Sequence, residues 1–264
     1  MGGAKMNGAA SVSMVEEAIA VITLHHGKVN ALSRVLVDDL AEALESLQGS
    51  PARVVLLRAQ AGARIFSAGY DVRELPRGGT DLLRFAAPLR RVMQQIEELR
   101  KPVIALVEGS VWGGACELVF NCDLIVTGEE TTFAFTPAKL GIPYDLQGMR
   151  SVAGAGGSLL KEMLFLAQPI AAARLEACGI VNRVVPGHEI ETCAMEMART
   201  IARNSPLVLH LLKEELRSLA ESGPLKAETQ AKLQVLRQRV YESGDYGEGI
   251  EAFLDKRSPK FRGE

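Results

Sequence analysis

The sequence predicts an α/β fold in which a parallel sheet grows from strand–helix–strand repeats and a helical region follows at the C-terminus. Two observations carry this expectation. Short, continuously apolar, β-branched runs alternate with amphipathic segments through the N-terminal part of the chain, and from Lys161 onward the apolar periodicity is helical almost throughout.

Residues 1–13 are small, polar and rich in Gly and Ala. They have neither a basic start nor an apolar stretch, and read as a disordered extension, not a signal peptide. Residues 18–24 (AIAVITL) suit a strand. Ser33 opens an amphipathic helix over residues 35–47, with Leu36, Leu40, Ala43 and Leu47 on one face and Asp38, Glu42 and Glu45 on the other. A second strand is expected at residues 53–59, and a Gly-containing loop leads from it to Ile65-Phe66-Ser67-Ala68-Gly69. After the break at Pro76 and Gly78-Gly79, a helix over residues 81–99 stops at Lys101-Pro102, and residues 103–107 (VIALV) form a third strand. The tight loop at residues 109–114 feeds a short helix at 115–121, followed by a strand at 123–127. Later helices are expected at 161–167, 171–178, 190–203, 206–222, 225–241 and 246–256; Pro206 stands at a helix start, where its missing N–H is harmless. A boundary near residue 200 separates an α/β core, residues 14–200, from a C-terminal helical region, residues 201–264.

The chain of 264 residues is 47% hydrophobic and 23% charged, with 30 Lys+Arg against 32 Asp+Glu and a formal net charge of −2. Balanced charge gives no bulk drive toward nucleic acid or an anionic membrane, so an anionic ligand must be met by local cations or backbone dipoles. Gly, Glu and Asp interrupt every apolar run before it reaches spanning length. A cytoplasmic protein with neither nucleic acid nor membrane as partner is expected. Cys116, Cys122, Cys178 and Cys193 form no CxxC pair and sit in apolar segments, as small hydrophobes of a reduced compartment do. Of the four His, His25 and His26 are adjacent and not at ligand spacing, so metal catalysis is not expected.

Two turns carry the chemical signal. In the first, Ala68-Gly69 lets the backbone bend sharply and directs the N–H of Tyr70 into a cleft. In the second, Gly109-Ser110-Val111-Trp112-Gly113-Gly114 follows a strand and precedes a helix, whose first N–H groups are unpaired and partly positive. Paired glycines keep that edge bare for a negative oxygen. Either turn alone is equally a strand-ending bend. Together, two donors on separate strand ends are what a thioester oxyanion needs, at about 2.7–4 kcal/mol per donor in the transition state.

The chain resembles the crotonase superfamily of enoyl-CoA hydratases, isomerases and relatives. The matching pieces are Asn30-Ala31-Leu32, Phe66-Ser67-Ala68-Gly69-Tyr70-Asp71, Lys101-Pro102-Val103-Ile104-Ala105, Gly113-Gly114-Ala115-Cys116-Glu117-Leu118, Cys122-Asp123-Leu124 and Leu140-Gly141. The resemblance implies a β-β-α superhelix core and a C-terminal helical region used in trimerisation, as a homotrimer or a dimer of trimers. It implies an acyl-CoA thioester substrate, with adenine near Asn30, Ala31, Leu32 and Ala68, and an oxyanion hole on the N–H groups of Tyr70 and Gly114. Arg64, Gly69, Asp71, Gly113, Lys256 and Arg257 complete the expected substrate and CoA contacts, with Lys260 as a further cation for the phosphates.

Side chains then choose the reaction. Glu117 stands at the first glutamate position of the hydratases, whereas the second falls on Pro137, which is neither acid nor base. Hydration needs both groups, so it is disfavoured. Phe66 to Tyr70 with Glu74-Leu75-Pro76, Thr136-Pro137 leading to Gly141-Ile142-Pro143-Tyr144, and Phe253-Leu254-Asp255-Lys256-Arg257-Ser258-Pro259 more closely resemble the methylmalonyl-CoA decarboxylase branch. That branch has histidine at the position of Tyr70. The expected activity is decarboxylation of methylmalonyl-CoA, or a related short 2-substituted malonyl-CoA, through an enolate; the alternative is an enoyl-CoA hydratase or isomerase using Glu117. Tyr144 either orients the malonyl carboxylate or packs at a loop base. Glu117 is either a base or an acid favoured by a helix start, and the Tyr70 ring either meets the carboxylate or walls the pocket. Val111, Ile142 and Phe85 are candidates for its apolar lining, Trp112 is core or lining, and Cys116 is core. No metal, biotin or redox cofactor is expected, coenzyme A being part of the substrate.

Overall fold

The computed structural model of the chain describes residues 8–74, 82–140, 157–219 and 227–264. β1 (Ala10–Glu16) pairs antiparallel with β2 (Ile19–Leu24), and α1 (Arg34–Gln48) follows. Ser33 caps α1 by accepting the Leu36 N–H at 3.3 Å, a contact worth about 1 kcal/mol. The next three turns of chain repeat one motif of strand, strand and helix. They are β3 (Val54–Ala59), β4 (Ile65–Ser67) and α2 (Leu82–Glu98); β5 (Val103–Val107), β6 (Ser110–Trp112) and α3 (Gly114–Phe120); and β7 (Leu124–Gly128), β8 (Thr132–Ala134) and α4 (Pro137–Leu140). The first strand of each turn joins one sheet and the second joins another, giving the orders β1-β2-β3-β5-β7-β10 and β4-β6-β8-β9. Leu32 makes an isolated parallel bridge to Tyr70, where a second-sheet strand of the preceding turn would stand. This is the expected β-β-α superhelix.

Beyond it lie α5 (Gly157–Leu166), β9 (Ile170–Ala171), α6 (Ala172–Ala177), β10 (Arg183–Val185), α7 (Ile190–Arg203), α8 (Pro206–Leu219), α9 (Ala227–Glu242) and α10 (Gly244–Leu254). Period-two alternation sorts the large sheet's side chains. Ile19, Val21, Val54, Leu56, Ile104, Leu106 and Val126 pack against Ile190, Ala194 and Ala198 of α7. Ala20, Ile22, Leu24, Val55, Leu57, Val103 and Ala105 face the main core, with the apolar stripes of α1 and α2 and the whole of α3.

Three expectations need correction. Residues 10–13 belong to β1, not to a disordered extension: Ser11, Val12 and Ser13 pair with Thr23, Ile22 and Val21, so an edge ladder orders a stretch whose side chains signal nothing. β10 interrupts the region read as helical, because Arg183, Val184 and Val185 add in parallel to the edge of β7. The three-residue strands of the second sheet are not among the expected elements: β6 lies inside the stretch read as a tight loop, and β4 and β8 fall where no element is assigned, being too short to show a period. The helices past residue 200 are joined to the core. Lys213 of α8 donates to the carbonyls of Ile96 and Lys101 at 2.8 and 3.3 Å and to Asp123 Oδ2 at 2.6 Å.

Candidate active site

The two glycine turns meet. Gly69 follows β4 with φ of +77°, a conformation that favours glycine, and a Cβ there would overlap the Trp112 carbonyl and come within 3.2 Å of the Gly114 nitrogen. Gly113, at φ 52° and ψ −126°, caps α3, and the Gly69 Cα lies 4.0 Å from the place its Cβ would take. The Gly113 N–H is spent on the Ala134 carbonyl at 2.8 Å. The next N–H, of Gly114, belongs to the first helical residue and has no acceptor within its helix. One edge of the Tyr70 ring borders this corner, since a Cβ on Gly114 would be 2.8 Å from its Cε2 and 2.9 Å from its Cδ2. Tyr70 and Gly114, the two expected oxyanion donors, therefore occupy one corner, with Leu89 of α2 beside them.

The segment from Asn30 to Ser33 holds the first turn in place. Asn30 is buried at φ 45°; its Nδ2 donates to the Phe66 carbonyl at 3.0 Å and its Oδ1 accepts the His26 N–H at 2.7 Å. Ser67 Oγ donates to the Asn30 carbonyl at 2.6 Å, Ala68 N–H to the Val29 carbonyl at 2.9 Å, and Leu32 N–H to the Gly69 carbonyl at 2.8 Å. Asn30, Ala31, Leu32, Ala68 and Gly69 thus come together as expected, and Asn30 acts in this structure as a cross-link between two chain segments. Sequence reasoning missed that role. The signal for it was an Asn in a turn, the residue type that tolerates left-handed backbone.

Asp71, also buried, turns its carboxylate to Arg73, with contacts of 2.6 and 2.9 Å and a further bond from the Arg73 N–H at 3.0 Å. The guanidinium and that N–H hold its pKa at about 2. Glu74 Oε2 accepts the Arg34 N–H at 2.8 Å, fastening the same loop to the start of α1.

Glu117 lies buried in the first turn of α3, three residues beyond Gly114. Cys116 is core: its thiol donates to the Val111 and Ala134 carbonyls at 3.5 and 3.6 Å, and burial pushes its pKa far up. Val111 is buried in the main core. Trp112 is half-buried, its indole N–H bonded to Ser110 Oγ at 2.8 Å. Pro137 is buried at the start of α4, three residues after Ala134, whose carbonyl holds Gly113.

Other expected contacts lie elsewhere. Arg64 is exposed at the foot of β4, its carbonyl accepting the Ser110 N–H at 3.0 Å. Arg257 is engaged by Glu248 at 2.7 and 2.9 Å and by Asp255 at 3.5 Å, beside a cavity of about 890 Å³ that Asp245, Lys260 and Arg262 also line. Lys256 is exposed at φ 55° at the end of α10. Tyr144 and Ile142 fall outside the described residues, as does the side chain of Phe85. Among the described residues no group of three or more His, Cys, Asp or Glu is placed to hold a metal ion, and no helix is long and apolar enough to cross a membrane.

Residues 14–264 match the family model described as enoyl-CoA hydratase/isomerase. Methylmalonyl-CoA decarboxylase of Escherichia coli strain K12 is 44% identical over 247 residues, covering 93% of this chain and 95% of its own. A solved structure of methylmalonyl-CoA decarboxylase in complex with 2-nitronate-propionyl-CoA superposes with a TM-score of 0.78 at 43% identity, over 97% of this chain and 99% of that one. Enoyl-CoA hydratase from Bacillus anthracis superposes with a TM-score of 0.85 at 30% identity, over 97% and 100%. Backbone shape does not separate the two reactions, since the less identical hydratase superposes better; the side chains at the corner have to.

Proposed function

The chain belongs to the enoyl-CoA hydratase/isomerase family, the crotonase superfamily, and from that premise we propose that it decarboxylates methylmalonyl-CoA to propionyl-CoA and CO₂. One observation carries the choice of reaction: Pro137 stands, buried, where a hydratase needs its second acid, in a chain 44% identical to a methylmalonyl-CoA decarboxylase.

The thioester oxygen binds between the N–H groups of Tyr70 and Gly114. The bond from C2 to the carboxylate carbon breaks, its electron pair passes into the enolate that those donors stabilise, and CO₂ leaves. A proton added at C2 completes propionyl-CoA, so one proton is consumed per turnover. Each backbone donor contributes about 2.7–4 kcal/mol because it is fixed before the charge develops. Tyr144 holds the carboxylate out of the thioester plane, in line with the carbonyl π system, and apolar walls strip water from it. Glu117, three residues past the oxyanion donor, steers the proton. Coenzyme A runs along Asn30, Ala31, Leu32 and Ala68, with Arg64, Lys256 and Arg257 as cations for its phosphates; for Arg257 this means leaving Glu248. The reaction uses no cofactor beyond the substrate's own coenzyme A.

The enzyme works in the cytoplasm as a homotrimer or a dimer of trimers. This is supported by Leu212, Leu216 and Leu219 of α8, exposed at helical spacing.

A mass-spectrometric screen of malonyl-, methylmalonyl-, ethylmalonyl- and crotonyl-CoA tests the reading. Propionyl-CoA is expected from methylmalonyl-CoA with crotonyl-CoA unchanged, and Tyr144→Phe slows the decarboxylation. Hydration of crotonyl-CoA, abolished by Glu117→Gln, with methylmalonyl-CoA left intact, overturns it.

A further inference from the structure

A second cavity, of about 160 Å³, opens among Arg53, Arg100, Lys101, His210 and Arg239. It lies at the opposite end of the sheet from the paired turns: Arg53 leads into β3 and Lys101-Pro102 into β5, whereas the glycine turns follow the far ends of the same stretches. Six residues of strand separate the two ends by about 18 Å. We propose that this cavity is an anion site that takes a phosphate group, either free or as the terminus of a phosphate ester.

Charge is the first argument. Arg53, Arg100, Arg239 and Lys101 line the cavity, burial lowering the Lys101 pKa, and among the described residues no Asp or Glu does. Arg53 donates to the carbonyls of Ala202 and Phe261 at 3.3 and 2.6 Å. Lys101 donates to the carbonyls of Leu47, Gln48 and Ser50, closing the C-terminal end of α1. These acceptors are neutral, so they orient the two cations without cancelling them. Arg100 and Arg239 are exposed, and among the described residues neither is in an ion pair. Convergent like charges repel, and an anion between them turns that repulsion into attraction.

The second argument is the wall on the other side. Pro206, Leu207 and Leu209 of the 14-residue helix α8 form this wall, with the side of its first turn against the cavity. His210, one turn on, sees Arg100, Arg239 and Lys232 as cations and Glu214 as the acid; Glu214 is already shared between Arg217 at 2.8 Å and Lys232 at 2.7 Å. Size is the third. A volume of about 160 Å³ has room for a phosphate group and its close hydration. The chain's last residues cover one side, where Gly263 at φ 83° packs on Pro206.

The test is thermal unfolding and calorimetry of the full chain, titrated at constant ionic strength with inorganic phosphate and glycerol phosphate against sodium chloride. Saturable binding of phosphate is expected, weakened roughly tenfold in Arg100→Gln/Arg239→Gln. Glycerol phosphate binding more tightly than phosphate identifies a phosphate ester as the occupant, and the reverse order identifies free phosphate. The His210 ring resonance should titrate at higher pH with phosphate present than with chloride. No saturation beyond that of chloride, equal binding by the double variant, or an unmoved His210 overturns the proposal. Should the double variant misfold, Arg239→Gln alone reads the same effect, since its side chain is on the surface.

Discussion

At one end of the parallel strands the chain turns on glycine backbone; at the other it is held by lysine and arginine side chains. Gly69, Gly113 and Gly114 let two loops approach until their backbones touch, an arrangement any side chain on Gly69 would prevent. At the opposite end Arg53, Lys101 and Lys213 reach across gaps between elements and bind carbonyl groups. The first arrangement leaves little slack and suits the fixing of N–H groups for a charge that develops in a transition state. The second is adjustable, since long side chains can exchange one oxygen for another, and it suits joining a helical region to a core.

The sharpest way to break this comparison is to add one methyl group at a time to the glycines. Gly69→Ala has to force its Cβ into the Trp112 carbonyl at φ of +77° and against the Gly114 nitrogen, the N–H proposed as an oxyanion donor. Steady-state decarboxylation should fall about 10²- to 10³-fold, the cost of losing one such donor. Gly113→Ala meets nothing closer than the Gly69 Cα at 4.0 Å, so it suffers conformational strain alone, of about 1–3 kcal/mol in a denaturant melt. Wild-type turnover by Gly69→Ala would show that the corner does no catalytic work.

At the other end the corresponding change is Lys213→Met. Its side chain is 10% exposed, and removing the ammonium leaves Asp123, Ile96 and Lys101 short of a donor. Desolvation raises the pKa of Asp123, and Lys213 opposes that rise. In the variant the rise is larger, so the folded state favours a protonated Asp123 and loses stability as pH climbs past the ordinary carboxylate range. A loss of about 2 kcal/mol is expected at neutral pH, below the 3–5 kcal/mol of a fully buried pair because 27% of the Asp123 side chain stays exposed, and less near pH 4. A pH-independent loss would mean that Asp123 and Lys213 are not coupled.

These two ends were unequally legible in the sequence. The strands at 19–24, 54–59 and 103–107 and the Ser33 cap follow from local pattern, because apolar runs and capping chemistry are written in consecutive residues. The glycine turns were visible as glycines at strand ends, and a resemblance supplied their pairing. The cation cluster was invisible: Arg53, the Arg100-Lys101 pair, His210 and Arg239 come from four separate stretches of the chain and only the fold gathers them. Asn30 was read as a ligand contact because its buried bonds to Phe66 and His26 depend on a positive φ that no spacing announces. The second sheet escaped notice because three residues carry no period.

A double-mutant cycle sharpens the backbone end further. Gly114→Ala places a Cβ 2.8 Å from Tyr70 Cε2, and a ring can yield where a carbonyl cannot. Its penalty should therefore shrink in a Tyr70→Ala background. A coupling of about 1 kcal/mol is expected from chemical denaturation of the four proteins. Strictly additive losses would remove the Tyr70 ring from the corner.

The smallest effect belongs to the Asp71–Arg73 ion pair, which follows the first glycine turn. Arg73 lowers the Asp71 pKa to about 2 from the ordinary 3.8, chiefly through its side-chain hydrogen bonds and then through its N–H. A depressed carboxylate stabilises the fold above its ordinary pKa, and that contribution drains away as pH falls from about 4 through about 2. Arg73→Gln raises the Asp71 pKa part of the way back, the N–H bond of 3.0 Å remaining. Because the Arg73 side chain is 82% exposed, solvent screens the pair and the neutral-pH melting temperature should barely move. That small difference should be greatest above about pH 4 and close as pH falls through about 2, so the two acid-unfolding curves separate at their upper end, with the Asp71 carboxyl carbon followed by NMR to assign it. Coincident acid-unfolding curves would show that backbone alone holds this end of the sheet, which is the comparison in its strictest form.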